Sequence, residues 1–179
     1  MMIDPVISWS ASLFTGGLFL AAALHKLADF RRFRATVRAY RIVADDLSGP
    51  LAIMAVVAEL VSGSLAIAIG TSSHRAGLAG CVGLLAVYGA LILFSIARGN
   101  SAIDCGCLGF AAWRPRLSNV MVARNLILVA VAAVAMAPVS DRPLLWLDYG
   151  AMTATLVMLA LLYAGFDLAI NLPKKEELL

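Results

Sequence analysis

Residues 76–97 read AGLAGCVGLLAVYGALILFSIA, an apolar run without one charged side chain. A helix needs about 20 such residues to cross roughly 30 Å of hydrocarbon, so this stretch predicts a membrane span. Working outward, similar runs lie at 8–28, 51–70, 120–139 and 147–172. The 51–70 run is broken by Glu59, and the 120–139 run carries Arg124 and Asn125 near its start. The composition agrees. Of 179 residues, 62% are hydrophobic and 14% charged, with a mean hydropathy of +0.92. Soluble domains are nearer half apolar and a quarter charged, so this chain has too little polar surface to cover a soluble fold. The expectation is an all-α, polytopic transmembrane helical bundle of four or five spans, forming a single integral membrane domain over 1–179. Residues 1–10 contain no Lys or Arg, and the first run ends in His25-Lys26 instead of a small-residue cleavage pattern. It therefore reads as a span and not as a cleaved signal peptide.

Between the first two runs lies DFRRFRATVRAYRIVADD, residues 29–46. Phe30, Phe33, Val37 and Tyr40 fall at helical spacing beside a stripe of Arg31, Arg34, Arg38 and Arg41. This predicts an amphipathic helix on the membrane surface, with arginines toward anionic head groups. The pI of about 9.0 thus speaks of the lipid bilayer as partner and gives no reason to invoke nucleic acid. Lys and Arg gather near alternate span ends, at Lys26 and Arg31 to Arg41, at Arg98, Arg114 and Arg116, and at Lys174 and Lys175. With five spans the charge rule places the N-terminus outside, and the C-terminus and the 98–119 loop in the cytoplasm.

The distinctive chemistry is in that loop, RGNSAIDCGCLGFAAWRPRLSN. Cys105 and Cys107 are separated by one glycine, so a disulfide between them closes a strained ring that Gly106 partly relieves. Strained, accessible disulfides are the labile or catalytic ones. Asp104 is a modulator of the neighbouring thiol, and Trp113 an interfacial anchor. A redox-active pair is the favoured reading; metal binding and an idle pair are the alternatives. Zinc needs four ligands and finds His25 as a nearby third, whereas copper(I) suits two thiolates better. No cofactor is required; copper(I) or a quinone remain as alternatives. Cys81, about 36 Å along the helix axis from Cys105, reads as a packing residue.

Ionisable groups inside spans are costly and mark function by default. Glu59 lies roughly 12 Å into its span and Arg124 roughly 6–9 Å into its own. Both spans start on the side of the 98–119 loop, which Lys26, His25 and Asp167 also approach. A polar cluster of Lys26, Glu59, Arg124, Asn125 and Asp167 is expected in that half of the bundle. A Glu59–Arg124 or Glu59–Lys26 ion pair holding helices in register competes with a role in proton or quinone handling. Gly63, Gly70, Gly77, Gly80, Ser62 and Ser64 supply small packing surfaces.

Three segments carry a resemblance: AAALHKLADFRRF at 21–33, AELVSGSLAIAIG at 58–70, and DCGCLG at 104–109 followed by Arg124-Asn125. Together they resemble the methylamine utilisation family MauE and the wider DoxX-like group of small four-helix membrane proteins. The resemblance implies a multi-pass protein of the bacterial inner membrane. It would assist maturation, processing or export of the small (β) subunit of methylamine dehydrogenase, which is periplasmic, disulfide-rich and carries a tryptophan-derived quinone. The implied partner is a thioredoxin-like protein of the MauD kind, exchanging disulfides with Cys105 and Cys107. A non-catalytic scaffold, or a copper(I)- or quinone-linked accessory subunit, are the rival readings. Periplasmic chemistry would be simplest with the cysteines outside, whereas the charge rule puts them inside.

Overall fold

The computed structural model describes residues 2–42, 44–99 and 119–171. The described residues form six helices: α1 (Pro5–Ala28), α2 (Phe30–Ala39), α3 (Ser48–Ile67), α4 (His74–Ala97), α5 (Asn119–Met136) and α6 (Trp146–Asn171), with a 3-10 turn at Asp45–Leu47 before α3. Local chemistry sets the boundaries. Asp4 caps α1 by accepting from the Val6 N–H at 2.9 Å, and Pro5 occupies the first turn, where its missing N–H costs nothing. Asp29 ends α1 and caps α2, accepting from the Arg32 N–H at 3.1 Å. α3 starts earlier than its apolar run because Ser48 bonds back to the Asp45 carbonyl at 2.7 Å and Pro50 is tolerated in a first turn. It stops at Ile67, so Gly70 (φ +86°) lies in the turn beyond.

Four helices are long and apolar enough to cross a membrane: α1, α3 with its preceding turn, α4 and α6. α5 is shorter; its 18 residues reach about 27 Å. It nevertheless packs against α4 and α1 within the bundle. α1 is the hub, touching α3, α4, α5 and α6. The outer faces are apolar: Met54 and Val57 on α3, Leu93 and Phe94 on α4, Leu126 and Ile127 on α5, and Met158 and Leu161 on α6 are all exposed. A belt of that kind suits lipid and not water.

Inside, helices approach through small residues, since lipid gives no hydrophobic drive between them. A Cβ placed on Gly77 of α4 would lie 2.4 Å from the Ala66 amide nitrogen and 2.5 Å from the Leu65 carbonyl carbon of α3. One on Gly16 of α1 would lie 2.7 Å from the Gly63 carbonyl oxygen. The backbones thus touch where the sequence provides no side chain.

The basic helix α2 does not lie with its apolar face in lipid. Phe33 packs with Ala23, Ala52 and Val56 of α1 and α3, while Tyr40 packs with Ile92 and Met121 of α4 and α5. Arg31, Arg34 and Arg38 are exposed on its other face, and Arg41, just past the helix at φ +50°, is exposed as well. Arg34 Nε donates to Ser48 Oγ at 3.4 Å, and Arg38 pairs with Asp45. The stripe of Phe and Tyr is satisfied by the bundle, because the short connection to α3 folds α2 back over it.

At the opposite end a clasp fastens the N-terminus to the α5–α6 connection. Ile3 exchanges backbone hydrogen bonds with Pro138 (2.8 Å) and Ser140 (3.0 Å). Arg142 grips Asp4 through Nε and Nη2 at 2.8 and 3.0 Å, and Asp148 through Nη1 and Nη2 at 2.8 and 3.0 Å. The Arg142 guanidinium, helped by the Val6 N–H, holds the Asp4 carboxyl below the ordinary carboxylate range.

Two outcomes follow. Gly77→Val forces α3 and α4 apart and should cost about 1–3 kcal/mol in detergent unfolding; an unchanged midpoint would show that the contact is not tight. A carboxylate with a depressed folded pKa contributes stability above its unfolded pKa and loses it as pH falls through the folded one. The thermal midpoint of the native protein should therefore fall more steeply on acidification below the ordinary carboxylate range than that of Arg142→Ala. Equal slopes would mean the clasp adds nothing.

Candidate functional site

The four long helices and the shorter α5 each send polar groups to one region inside the bundle. Lys26 sits in the last turn of α1, and helical side chains tilt toward the N-terminus. Its four-carbon stem therefore runs inward along α1, away from the membrane face at which the helix ends, and the residue is 4% exposed. There the ammonium pairs with Oε1 of Glu59, the carboxylate midway along α3. Tyr88 of α4 donates its hydroxyl to the same Oε1 at 2.6 Å and accepts from Lys26 Nζ at 3.5 Å. The ammonium also lies 5.0 Å from the ring centre of Phe33 and 4.9 Å from that of Tyr88. α2 thus closes the site with a ring while turning its arginines outward.

A second pair lies alongside. Arg124, in the second turn of α5, donates from Nη1 to Asp167 Oδ1 of α6 at 3.1 Å, and its guanidinium faces the Tyr163 ring at 5.8 Å. Glu59, Arg124, Asn125 and Asp167 are all buried. The region holds two cationic and two anionic side chains, so it is neutral with all four ionised. A cavity of about 40 Å³ runs between the pairs, lined by Lys26, Glu59, Tyr88, Arg124, Asn125 and Tyr163 against walls of Leu18, Phe19, Ala22, Leu85 and Leu128.

Lys26, Glu59, Arg124, Asn125 and Asp167 are therefore brought together. Of the two pairings open to Glu59, the structure takes Lys26, and Arg124 pairs with Asp167 instead. Tyr88, Tyr163 and Phe33 were not singled out as ligands of this network from sequence. Tyr88 had one signal, a hydroxyl inside an otherwise apolar run. His25 is exposed on the outside of α1 and takes no part. Cys81 is a buried free thiol in the packed core. Asp104, Cys105, Cys107 and Trp113 lie outside the described residues. Among the described residues no group of three His, Cys, Asp or Glu side chains is placed to hold a metal ion.

Breaking one partner of a buried pair strands the other charge in a low-dielectric interior. Lys26→Met should cost about 3–5 kcal/mol in unfolding, and Lys26→Met with Glu59→Gln should recover most of the loss. Additive losses in the double variant would show that the two residues do not act as a pair.

The sequence profile described as "Methylamine utilisation protein MauE" matches residues 4–138. A protein named methylamine utilization protein MauE from Paracoccus versutus is 34% identical over 176 residues, covering 97% of this chain and 92% of its own. One of the same name from Methylophilus methylotrophus is 31% identical over 180 residues, covering 99% and 93%. Another, from Paracoccus denitrificans, is 34% identical over 134 residues, covering 73% and 69%. No solved structure matches. A profile spanning most of the chain, with relatives aligned from end to end, makes this chain a member of the MauE family.

Proposed function

We propose that this protein serves methylamine utilisation as a membrane component that helps mature an exported, disulfide-rich enzyme by thiol–disulfide exchange. The family's name carries the pathway. The observation that carries the chemistry is Cys105-Gly106-Cys107 in the connection between α4 and α5. That connection starts and ends at the end of the bundle where α2 exposes its arginines, with the Lys26–Glu59 and Arg124–Asp167 pairs directly inside.

In this reading one thiolate attacks a disulfide of a thioredoxin-like partner of the MauD kind, forming a mixed disulfide and releasing one partner thiol. The second cysteine then attacks the mixed bond. The pair ends oxidised and the partner ends as a dithiol, with no electron acceptor beyond the partner itself. The reverse direction starts from the pair's disulfide and oxidises a client dithiol to a disulfide in the same two steps, leaving the pair as a dithiol. The client is the β subunit of methylamine dehydrogenase, and the location is the bacterial inner membrane. The reaction calls for no resident cofactor.

The test is trapping. In a Cys81→Ser background, Cys105→Ser or Cys107→Ser should accumulate a mixed disulfide visible on a non-reducing gel, and the double variant should not. If neither single variant traps any species and the double variant still matures the dehydrogenase, the protein acts as a scaffold without thiol chemistry. A membrane-impermeant thiol reagent on intact cells, before and after reduction, reads the side on which the pair works. Labelling from outside only after reduction means a periplasmic disulfide; protection until lysis means a cytoplasmic or enclosed pair.

A further inference from the structure

The Lys26–Glu59 contact uses one half of the carboxylate. Oε1 accepts from both Lys26 and Tyr88, whereas Oε2 has no hydrogen-bond partner among the described residues although Glu59 is only 1% exposed. Asn125 on α5 mirrors it: Nδ2 is a buried donor with no partner among the described residues. Both side chains line the same cavity. A buried acceptor and a buried donor on one cavity call for a ligand that donates to the first and accepts from the second. Size then decides which ligand. The cavity measures about 40 Å³, and a water needs on the order of 10–15 Å³ by that measure together with two to four polar partners. Two or so waters fit in that space.

We propose that this cavity is a hydrated proton-exchange site inside the bundle, in which water held between Glu59 Oε2 and Asn125 Nδ2 delivers a proton to Oε2 and takes it away. The step is H₃O⁺ plus the Glu59 carboxylate giving the carboxylic acid plus water, with no electron transferred. Oε1 already carries two donors, so the incoming proton goes to Oε2. The surroundings serve both states. With Glu59 ionised, Lys26 neutralises it. With Glu59 protonated, the Lys26 ammonium loses its ion pair, which opposes protonation, and keeps the Tyr88 oxygen and the faces of Phe33 and Tyr88, which offset part of that loss. The other charged side chains of the region are Arg124 and Asp167, paired with each other, and Cys81 is a buried thiol of the neighbouring core. The inference stands apart from the thiol chemistry, since it uses neither Cys105 nor Cys107.

Infrared difference spectroscopy of the full chain in lipid nanodiscs, stepped in pH, tests it. A carboxylic acid C=O band should grow as pH falls, move down in D₂O, disappear in Glu59→Gln and persist in Asp167→Asn. Asn125→Leu removes the donor to the water and should shift the same band. Should Glu59→Gln fail to fold, the D₂O shift, the Asn125→Leu shift and persistence in Asp167→Asn carry the assignment. The proposal is overturned by a native protein with no exchangeable, titrating carboxylic acid band. It is equally overturned by a band unchanged in Glu59→Gln or unmoved in Asn125→Leu.

Discussion

An ammonium and a guanidinium, each held against a carboxylate inside an apolar bundle, set the terms for the rest of the molecule. Removing each ion from water costs several kcal/mol even after relaxation, and mutual attraction repays this only with close geometry and extra hydrogen bonds. The partners come from different helices, so the geometry exists only when those helices stand in one register. Lys26 and Glu59 align α1 with α3, Tyr88 brings in α4, and Arg124 with Asp167 joins α5 to α6. A slip of one turn moves a side chain by about 5.4 Å and separates any of these pairs. The network thus works as a specificity device: apolar faces pack in several ways, but few place four charges in contact.

Close packing makes this arrangement reachable. At Gly77 and at the Gly16–Gly63 crossing the backbones lie too near for a side chain. That proximity brings α3 within reach of α1 and α4, so the hydroxyl of Tyr88 and the ammonium of Lys26 meet on one carboxylate oxygen. The clasp at the other end, from Ile3 and Asp4 to Arg142 and Asp148, fastens α1 to the α5–α6 connection. α2 has a double role. Its Phe33 face covers Lys26, and its arginine face marks the end of the bundle at which α4 stops and α5 begins.

Family membership and the site point to related work in different places. The relatives' name speaks of methylamine utilisation, and the Cys-Gly-Cys motif supplies the thiols on which the proposed exchange rests. The buried network contains no thiol among its described members and forms an internal, charge-balanced core. Thiol–disulfide exchange moves protons as well as electrons.

The apolar runs were enough to read the membrane class, the helical fold and the approximate position of each long helix, because a bilayer demands about 20 apolar residues whatever the neighbours are. The charges within those runs stood out for the same reason: an ionisable group in hydrocarbon is conspicuous wherever it lies. Tertiary structure decided who pairs with whom. Lys26 and Arg124 were equal candidates for Glu59 along the chain, and only the packing of α1 on α3 and of α6 beside α1 separated them. Tyr88 stayed hidden because a tyrosine in an apolar run is ordinary until a partner approaches. The Phe33 stripe read as the apolar face of a helix on the membrane surface, because periodicity does not distinguish lipid from protein; the backfolding of α2 turned it onto the bundle. Sequence periodicity records which face of a helix is apolar. What that face meets is a property of the assembled bundle, where distance and burial turn four separate charges into two pairs.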